Sequence, residues 1–567
     1  MFGKKKAAVQ SGTNFRIYVV FAGIFLIYAV ILVRLYYLQI VLGEHYQVWA
    51  QGLQSYAQQQ GGGVDRGEIF FAGGEPLAIN KDFDYAYASP ANIKDKDAAA
   101  AKLSEILGLD KNDLIERFSR DALYALLKEK LSEDEIKKIN EAKIEGVYLD
   151  KIKKRYYPQG TVAAHLAGFV DDDGVGRYGL EEYYDEELVQ GQDLVLNVDY
   201  NIQYYAEQKL ATALTDLNAM AAEAIVADPK TGAVLAMAKA PNFDPNTYKD
   251  FARDNIGIFT NDSCQTFFEP GSVFKAITMA SALNDGKVTP DTSYFDSGSL
   301  TVGGYTIYNY DHRSYGTQTM TNVLEHSVNT GVAYAQTKLG DKPFADYIEK
   351  FGVSEKTGID LPESAANNTE FKKGHAIGYA TASYGQGFWM TSIQLIRAYS
   401  ALANGGVLVQ PSVVATGRKN IDETKKVRVI TEETSDTISK MLASVVDNGF
   451  GKKAKVAGYT IAGKTGTAQM SWSTLGINQA GYSNQTTQSF IGFFPAPEPR
   501  FLILVKLKAP EANTAEYSAM PVFNELAKYV IYVSQLPPNE ELPDAKIAVP
   551  VAASPVGLPT VRNSVVQ

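Results

Sequence analysis

Among its 567 residues the chain has one cysteine, Cys264, and five histidines. A lone thiol excludes an intrachain disulfide, and with it thiolate zinc sites and iron–sulfur clusters. His45, His165, His312, His326 and His375 are scattered without metal-ligand spacing. The chemistry is therefore expected to need no metal and no other cofactor. Basic excess is lacking too: 54 Lys and Arg face 64 Asp and Glu, a net charge of -10, which argues against a nucleic-acid partner. Only one apolar run is long enough to span a membrane, so nothing resembles a channel or transporter. What remains is ordinary globular composition, 45% hydrophobic and 21% charged, in a chain longer than one core usually serves. At least two folded units are expected.

The apolar run is Ile17 to Val33, without a charge, and as a helix it spans roughly 25 Å. Arg34 can snorkel outward, leaving Tyr36 and Tyr37 at interface depth. Lys4, Lys5, Lys6 and Arg16 precede the run, so residues 1–16 read as a cytoplasmic tail and 17–38 as a transmembrane anchor. The body then lies on the periplasmic or extracellular side. A cleaved signal peptide is the competing reading, but no small-x-small site comes closely after the run. A buried core helix is the other, against which the basic flank speaks.

Residues 43–215 differ in texture from the remainder of the chain and read as one α+β unit. Lys94 to Lys154 is rich in Ala, Leu, Glu and Lys and is expected to form short solvated helices. From residue 216 to 537 strands lie at both ends with helices between. Ala224–Ala227 and Val234–Met237 flank a turn, Gly458–Gln469 reads as a strand, and Ser489–Phe494 with Phe501–Leu507 forms another hairpin. A helix over Pro521–Val533 closes the unit. That order predicts an α/β domain, one antiparallel sheet sandwiched by helices. Residues 538–567 turn to Pro, Val, Ala and Ser and read as a disordered tail.

Chemistry concentrates at Glu269-Pro270-Gly271-Ser272-Val273-Phe274-Lys275, followed by the apolar Ala276 to Leu283. A helix apolar all round is buried. Ser272 would lie in its first turn, where free backbone N–H groups favour an oxyanion. Lys275, on the same face, would be costly to bury charged; with a lowered pKa it could act as a base toward the serine. Ser-x-x-Lys alone is a common accident. Here it is followed by Ser327-Val328-Asn329 and by Lys464-Thr465-Gly466-Thr467 on the expected strand. Lys-Thr-Gly also occurs at Lys230–Gly232 and Lys356–Gly358, where it reads as turn chemistry.

Together these elements resemble the active-site set of penicillin-recognising serine enzymes. Arg66-Gly67-Glu68-Ile69, Arg155-Tyr156-Tyr157-Pro158, Gly179-Leu180-Glu181, Asp228 to Gly232, Gly385-Gln386-Gly387 and Ala401 to Gly406 extend the resemblance to class B penicillin-binding proteins. These are single-pass, monofunctional peptidoglycan D,D-transpeptidases with a transpeptidase domain on an elongated, non-catalytic pedestal of dimerisation type. Phe71-Ala72 departs from the Asp-Arg usual there. Phe268 to Gly271 and Lys464 to Gln469 are more similar to the septal branch than to the elongation branch, which stays an alternative.

By resemblance, Ser272 is the nucleophile, Lys275 its base, Ser327 a proton relay to the leaving D-Ala, and Asn329 a holder of the acyl-peptide backbone. Lys464, Thr465, Gly466 and Thr467 would line the substrate, with the terminal carboxylate on Lys464, Thr465 and Thr467. The backbone N–H groups of Ser272 and Thr467 would form the oxyanion hole. The implied partners are D-Ala-D-Ala stem peptides, β-lactams, the membrane and a polytopic SEDS-family polymerase. A β-lactamase would need a deacylating glutamate, and Glu363-Ser364-Ala365-Ala366-Asn367 has neither the leucine nor the spacing for one. A D,D-carboxypeptidase, or a division scaffold with weak or no catalysis, stays open. Cys264 reads as a small buried residue or loop thiol, His326 as a packed or solvated helix residue, and Trp389 as core or cleft wall.

Overall fold

The computed structural model describes residues 10–41, 65–119, 124–252, 255–417 and 426–541. The basic residues Lys4 to Lys6, the expected start of the pedestal at 43–64 and the tail from 542 lie outside these.

The N-terminal helix α1 spans Gln10–Tyr36 and runs into a π-turn at Tyr37–Val41. Tyr18–Ile40 is the one described segment long and apolar enough to cross a membrane, and none of it is buried against the body. In the pedestal, β1 (Ile69–Phe70), β2 (Pro76–Ala88), β3 (Ala125–Lys128), β4 (Val147–Tyr156) and β5 (Leu194–Leu196) share one sheet. β2 pairs antiparallel with β1, β3 and β4, while β1 and β5 run parallel. Helices α2 (Lys96–Leu107), α3 (Lys111–Ser119) and α4 (Glu133–Ala142) cover it, burying Ala100, Leu103, Leu114 and Phe118.

Lys94 to Lys154 is thus not only solvated helices, since it contains β3 and most of β4. β4 reads VYLDKIKKRY, whose lysines mask an alternating strand, and its apolar Ile152 is buried while Lys151 and Lys153 face solvent.

The second unit is built on five antiparallel strands: β6 (Ala221–Ala227), β7 (Val234–Ala240), β9 (Ala462–Ser471), β10 (Tyr482–Phe494) and β11 (Phe501–Lys508), in the order β9-β10-β11-β6-β7. β11 shows the logic of the sandwich. Phe501, Ile503, Val505 and Leu507 face one core with α5 (Tyr200–Asp216) and α11 (Ala519–Val533). Leu502 and Leu504 face the other, with α6 (Lys275–Asn284), α9 (Ser392–Ala403) and α10 (Glu432–Asp447). Period-2 alternation thus buries both faces of β11.

Two features cross the boundary expected at 215/216. Helix α5 buries Ile202, Ala206 and Leu210 in the core of the second unit, because its apolar stripe matches the sheet rather than the pedestal. Conversely β8 (Val414–Thr416), from deep within the second unit, pairs with β5 in the pedestal sheet.

Three pedestal motifs meet at one carboxylate. Glu181, fully buried, accepts from Arg66 Nε at 2.7 Å, Arg155 Nε at 2.7 Å and Tyr157 Oη at 3.1 Å. Asp185 takes the second Arg66 nitrogen at 2.7 Å. Phe71, at the departure from the family pattern, is buried edge-on against Tyr200 of α5.

Candidate active site

Pro270 and Gly271 bend the chain into a 3₁₀ turn, Gly271–Phe274, that leads directly into α6. Ser272 therefore sits in a tight turn before the α-helix rather than in its first α-turn, and it is half-buried while its neighbours Val273, Phe274 and Lys275 are buried. Gly271 has φ +61°, and a Cβ there would stand 2.9 Å from that of Ala468 on β9. The Gly385-Gln386-Gly387 loop fastens the turn from the other side: Gly271 N donates to Gly385 O at 2.9 Å. Glu269 braces both, its Oε1 accepting from Gly387 N at 2.6 Å and Tyr482 Oη at 3.0 Å. Burial pushes the Glu269 carboxyl above its usual range.

Ser327 follows α7 (Met320–Glu325) and precedes α8 (Asn329–Leu339), and it is held at φ +55°. Left-handed backbone at a non-glycine residue is strained and persists where surroundings impose it. Its hydroxyl is the meeting point of the site. Lys275 Nζ donates to Ser327 Oγ at 3.1 Å and also to the Ser327 carbonyl, and Lys464 Nζ donates to the same Oγ at 2.9 Å.

Lys275 and Lys464 are both fully buried, and neither has a carboxylate partner among the described residues. Desolvation lowers the Lys464 amine to about 7. Desolvation, and then the neighbouring Lys464, drive the Lys275 amine well below its usual range. Two ammonium groups on one hydroxyl repel each other, so the site favours at least one neutral amine near neutral pH. A neutral lysine is a base.

Among the described residues Lys275 makes no hydrogen bond to Ser272; its bonds go to Ser327. Strand β9 brings the third element in. It lies at the sheet edge, with Gly466 opposite Ser489 and Thr467 opposite Gln488 on β10. Gly466 is required by crowding: a Cβ would stand 3.0 Å from Val273 Cγ1 and 3.3 Å from Pro270 O.

Ser272, Ser327, Asn329, Thr465 and Thr467 all line one cleft of about 610 Å³, with Lys275 and Lys464 behind its floor. The sequence motifs converge in space. Sequence reasoning missed a further wall of the cleft, Thr306 to Arg313, which carries no motif. His326, read as a helix residue, caps α7, lines the cleft and bonds Gln318 Oε1 through Nδ1 at 2.9 Å. Trp389 is half-buried outside the cleft, its backbone paired with Asn368. Cys264 is buried 3.9 Å from Met237 Sδ, and burial holds its thiol well above the usual range. Glu363, in the loop read as solvated, is engaged: its carboxylate accepts from Thr357 N, Thr357 Oγ1 and Gly358 N at 2.7–2.9 Å. That engagement ties up the second Lys-Thr-Gly triplet as a turn.

Residues 222–528 match the penicillin binding protein transpeptidase domain, and residues 63–201 match the penicillin-binding protein dimerisation domain. Stage V sporulation protein D of Bacillus subtilis is 30% identical over 531 residues, covering 86% of this chain and 80% of that protein. A peptidoglycan D,D-transpeptidase FtsI homolog from Mesostigma viride is 28% identical, covering 90% of this chain and 94% of its own. The crystal structure of penicillin binding protein 3 from Mycobacterium tuberculosis complexed with aztreonam superimposes with a TM-score of 0.66 at 28% identity, covering 84% of this chain and 98% of that one. The transpeptidase match spans more than half the chain and contains every residue of the cleft described above, so the chain belongs to the penicillin-binding protein transpeptidase family.

Proposed function

We propose that this protein is a membrane-anchored peptidoglycan D,D-transpeptidase that cross-links stem peptides through a serine acyl-enzyme, acts in septal wall synthesis, and is a target of β-lactams. The observation that carries the reading is the convergence of two buried, charge-depressed lysines on Ser327 Oγ beside the half-buried Ser272. Ser272 Oγ attacks the carbonyl of the penultimate D-Ala, and neutral Lys275 takes its proton. Backbone N–H groups of Ser272 and Thr467 receive the developing oxyanion. Ser327, between the lysines, returns a proton to the amine of the departing D-Ala. Lys464, Thr465 and Thr467 hold the terminal carboxylate, Gly466 lets the substrate backbone approach, and Asn329 holds the acyl peptide. An amine of a second stem peptide then attacks the ester, releasing Ser272.

The septal assignment is supported by the Phe268-Glu269-Pro270-Gly271 and Lys464 to Gln469 segments and by the FtsI-type relative. The β-lactam assignment is supported by the aztreonam and ampicillin complexes of the related M. tuberculosis protein. We place the N-terminus in the cytoplasm and the body outside, from Arg16 and Lys4 to Lys6 flanking the apolar helix. We divide the chain into a pedestal over 43–215 that recruits partners, a SEDS-family polymerase among them, and a catalytic unit over 216–537. The test is incubation with uncross-linked pentapeptide glycan strands. Free D-alanine and cross-linked dimer peptides should appear and vanish in Ser272→Ala. D-alanine release without cross-links would make the protein a carboxypeptidase.

A further inference from the structure

The element carrying Ser327 and Asn329 has an unusual start. Helix α8 begins at Asn329, and its N-cap position is Val328, which has no side chain to satisfy the free N–H groups of the first turn. The deficit is met by the adjoining cleft wall. Asn309 Oδ1 accepts from Thr330 N at 3.3 Å, and Asn309 is itself held by Asp296, whose Oδ2 accepts from Asn309 Nδ2 at 2.8 Å. Asp296 Oδ1 accepts from Thr330 Oγ1 at 2.7 Å and Gly298 N at 2.9 Å, and Oδ2 also accepts from Tyr315 N at 2.8 Å. Asp296 and Thr330 are fully buried. All four groups facing the carboxylate are donors, so its acceptor capacity is well used and an amide could not replace it without opposing a donor to a donor. A second tie runs parallel: Asn329 Nδ2 donates to Tyr308 O at 2.9 Å.

We infer that Asp296 is a positioning residue for acyl transfer, acting through Asn309 and Thr330 to fix the start of α8 and so the placement of Ser327 and Asn329. The inference rests on the transpeptidase reading above. Ser327 must keep its hydroxyl within reach of two amines on two other elements, with its backbone in the left-handed region. A small movement at Thr330, three residues on, changes those distances and the proton exchange they support. The cleft wall and the relay serine are thereby one unit, joined through this carboxylate and through the Asn329–Tyr308 tie.

The test is the second-order rate of penicillin acylation per titrated active site, with its pH profile and a thermal melt, for wild type, Asp296→Asn, Thr330→Val, Thr330→Ser and the Asp296→Asn/Thr330→Val pair. Asp296→Asn should acylate on the order of ten- to a hundred-fold more slowly per active site, with a displaced pH profile. Thr330→Val should fall several-fold, Thr330→Ser should return to the wild-type rate, and the pair should be no slower than Asp296→Asn alone. Should Asp296→Asn not fold, the contrast between Thr330→Val and Thr330→Ser decides. Wild-type rates and an unchanged pH profile per active site, with only the melt lowered, would overturn the inference and leave Asp296 a brace of the wall. Absence of acylation in wild type would instead overturn the functional reading beneath it.

Discussion

Lys464 states the cost of this site most plainly. Its amine titrates near 7 when folded and near 10.5 when exposed, because burial penalises the charge. Between those values the unfolded chain binds a proton that the folded chain does not, so stability rises with pH across about 7 to 10.5. Below about 7 both states are charged and the full penalty applies. Lys464→Met should therefore melt higher than wild type at pH 7, with the gap closing toward pH 10.5, while acylation collapses. A gap independent of pH would show that burial of charge is not what Lys464 contributes. Lys275→Met should keep the fold and lose acylation by roughly 10² to 10⁴, the usual worth of a general base. Rapid-quench acylation kinetics on the well-folded variant measures this, and a rate within a few-fold of wild type would remove Lys275 from that role. A guanidinium would be a poorer probe, since Lys275 is fully enclosed beside Lys464 and arginine cannot shed its charge.

At the scale of elements, function depends on how closely β9 lies against the 3₁₀ turn. Gly466→Ala would place a Cβ 2.5 Å from Ser489 Oγ and 3.0 Å from Val273 Cγ1. Overpacking of this kind costs about 1–3 kcal/mol, and here it moves the strand that carries Lys464 and Thr467. The expected outcome is a melt lowered modestly and an acylation rate lowered on the order of ten- to a hundred-fold. A lowered melt with an unchanged rate would mean the strand tolerates the shift. The same closeness explains what is legible in the sequence. Ser272 with Lys275, Ser327 with Asn329, and Lys464 with Thr467 are each local, set by one turn or one strand, and they can be read as three short patterns. Asp296, Asn309 and Tyr482 cannot, since they bond residues well away in the chain and no spacing marks them; Glu269 stands in the serine motif, but its bonds to Gly387 N and Tyr482 Oη are not legible there. β4 is hidden for a related reason. Its lysines are paired or solvated, and only the partner strand β2 reveals the alternation.

For the whole molecule, the two units share more than a linker. Strand β8 enters the pedestal sheet and α5 belongs to the second core, while Arg66, Arg155 and Tyr157 close on Glu181 within the pedestal. The contiguous boundary read from composition could not show this, because composition is blind to strand exchange. Removing one partner from a buried ionic cluster leaves charges unpaired, at about 3–5 kcal/mol. Glu181→Ala should lower the denaturation midpoint accordingly, yet the folded fraction should acylate at the wild-type rate, as none of these residues lines the cleft. A slowed rate in folded Glu181→Ala would mean that the pedestal sets the active-site geometry. The most direct test of the account is intact-protein mass spectrometry after brief exposure to penicillin, followed by peptide mapping. A single persistent adduct of one drug mass is expected on the peptide containing Ser272, absent from Ser272→Ala. An adduct that survives Ser272→Ala, or one that is gone within seconds, would contradict it.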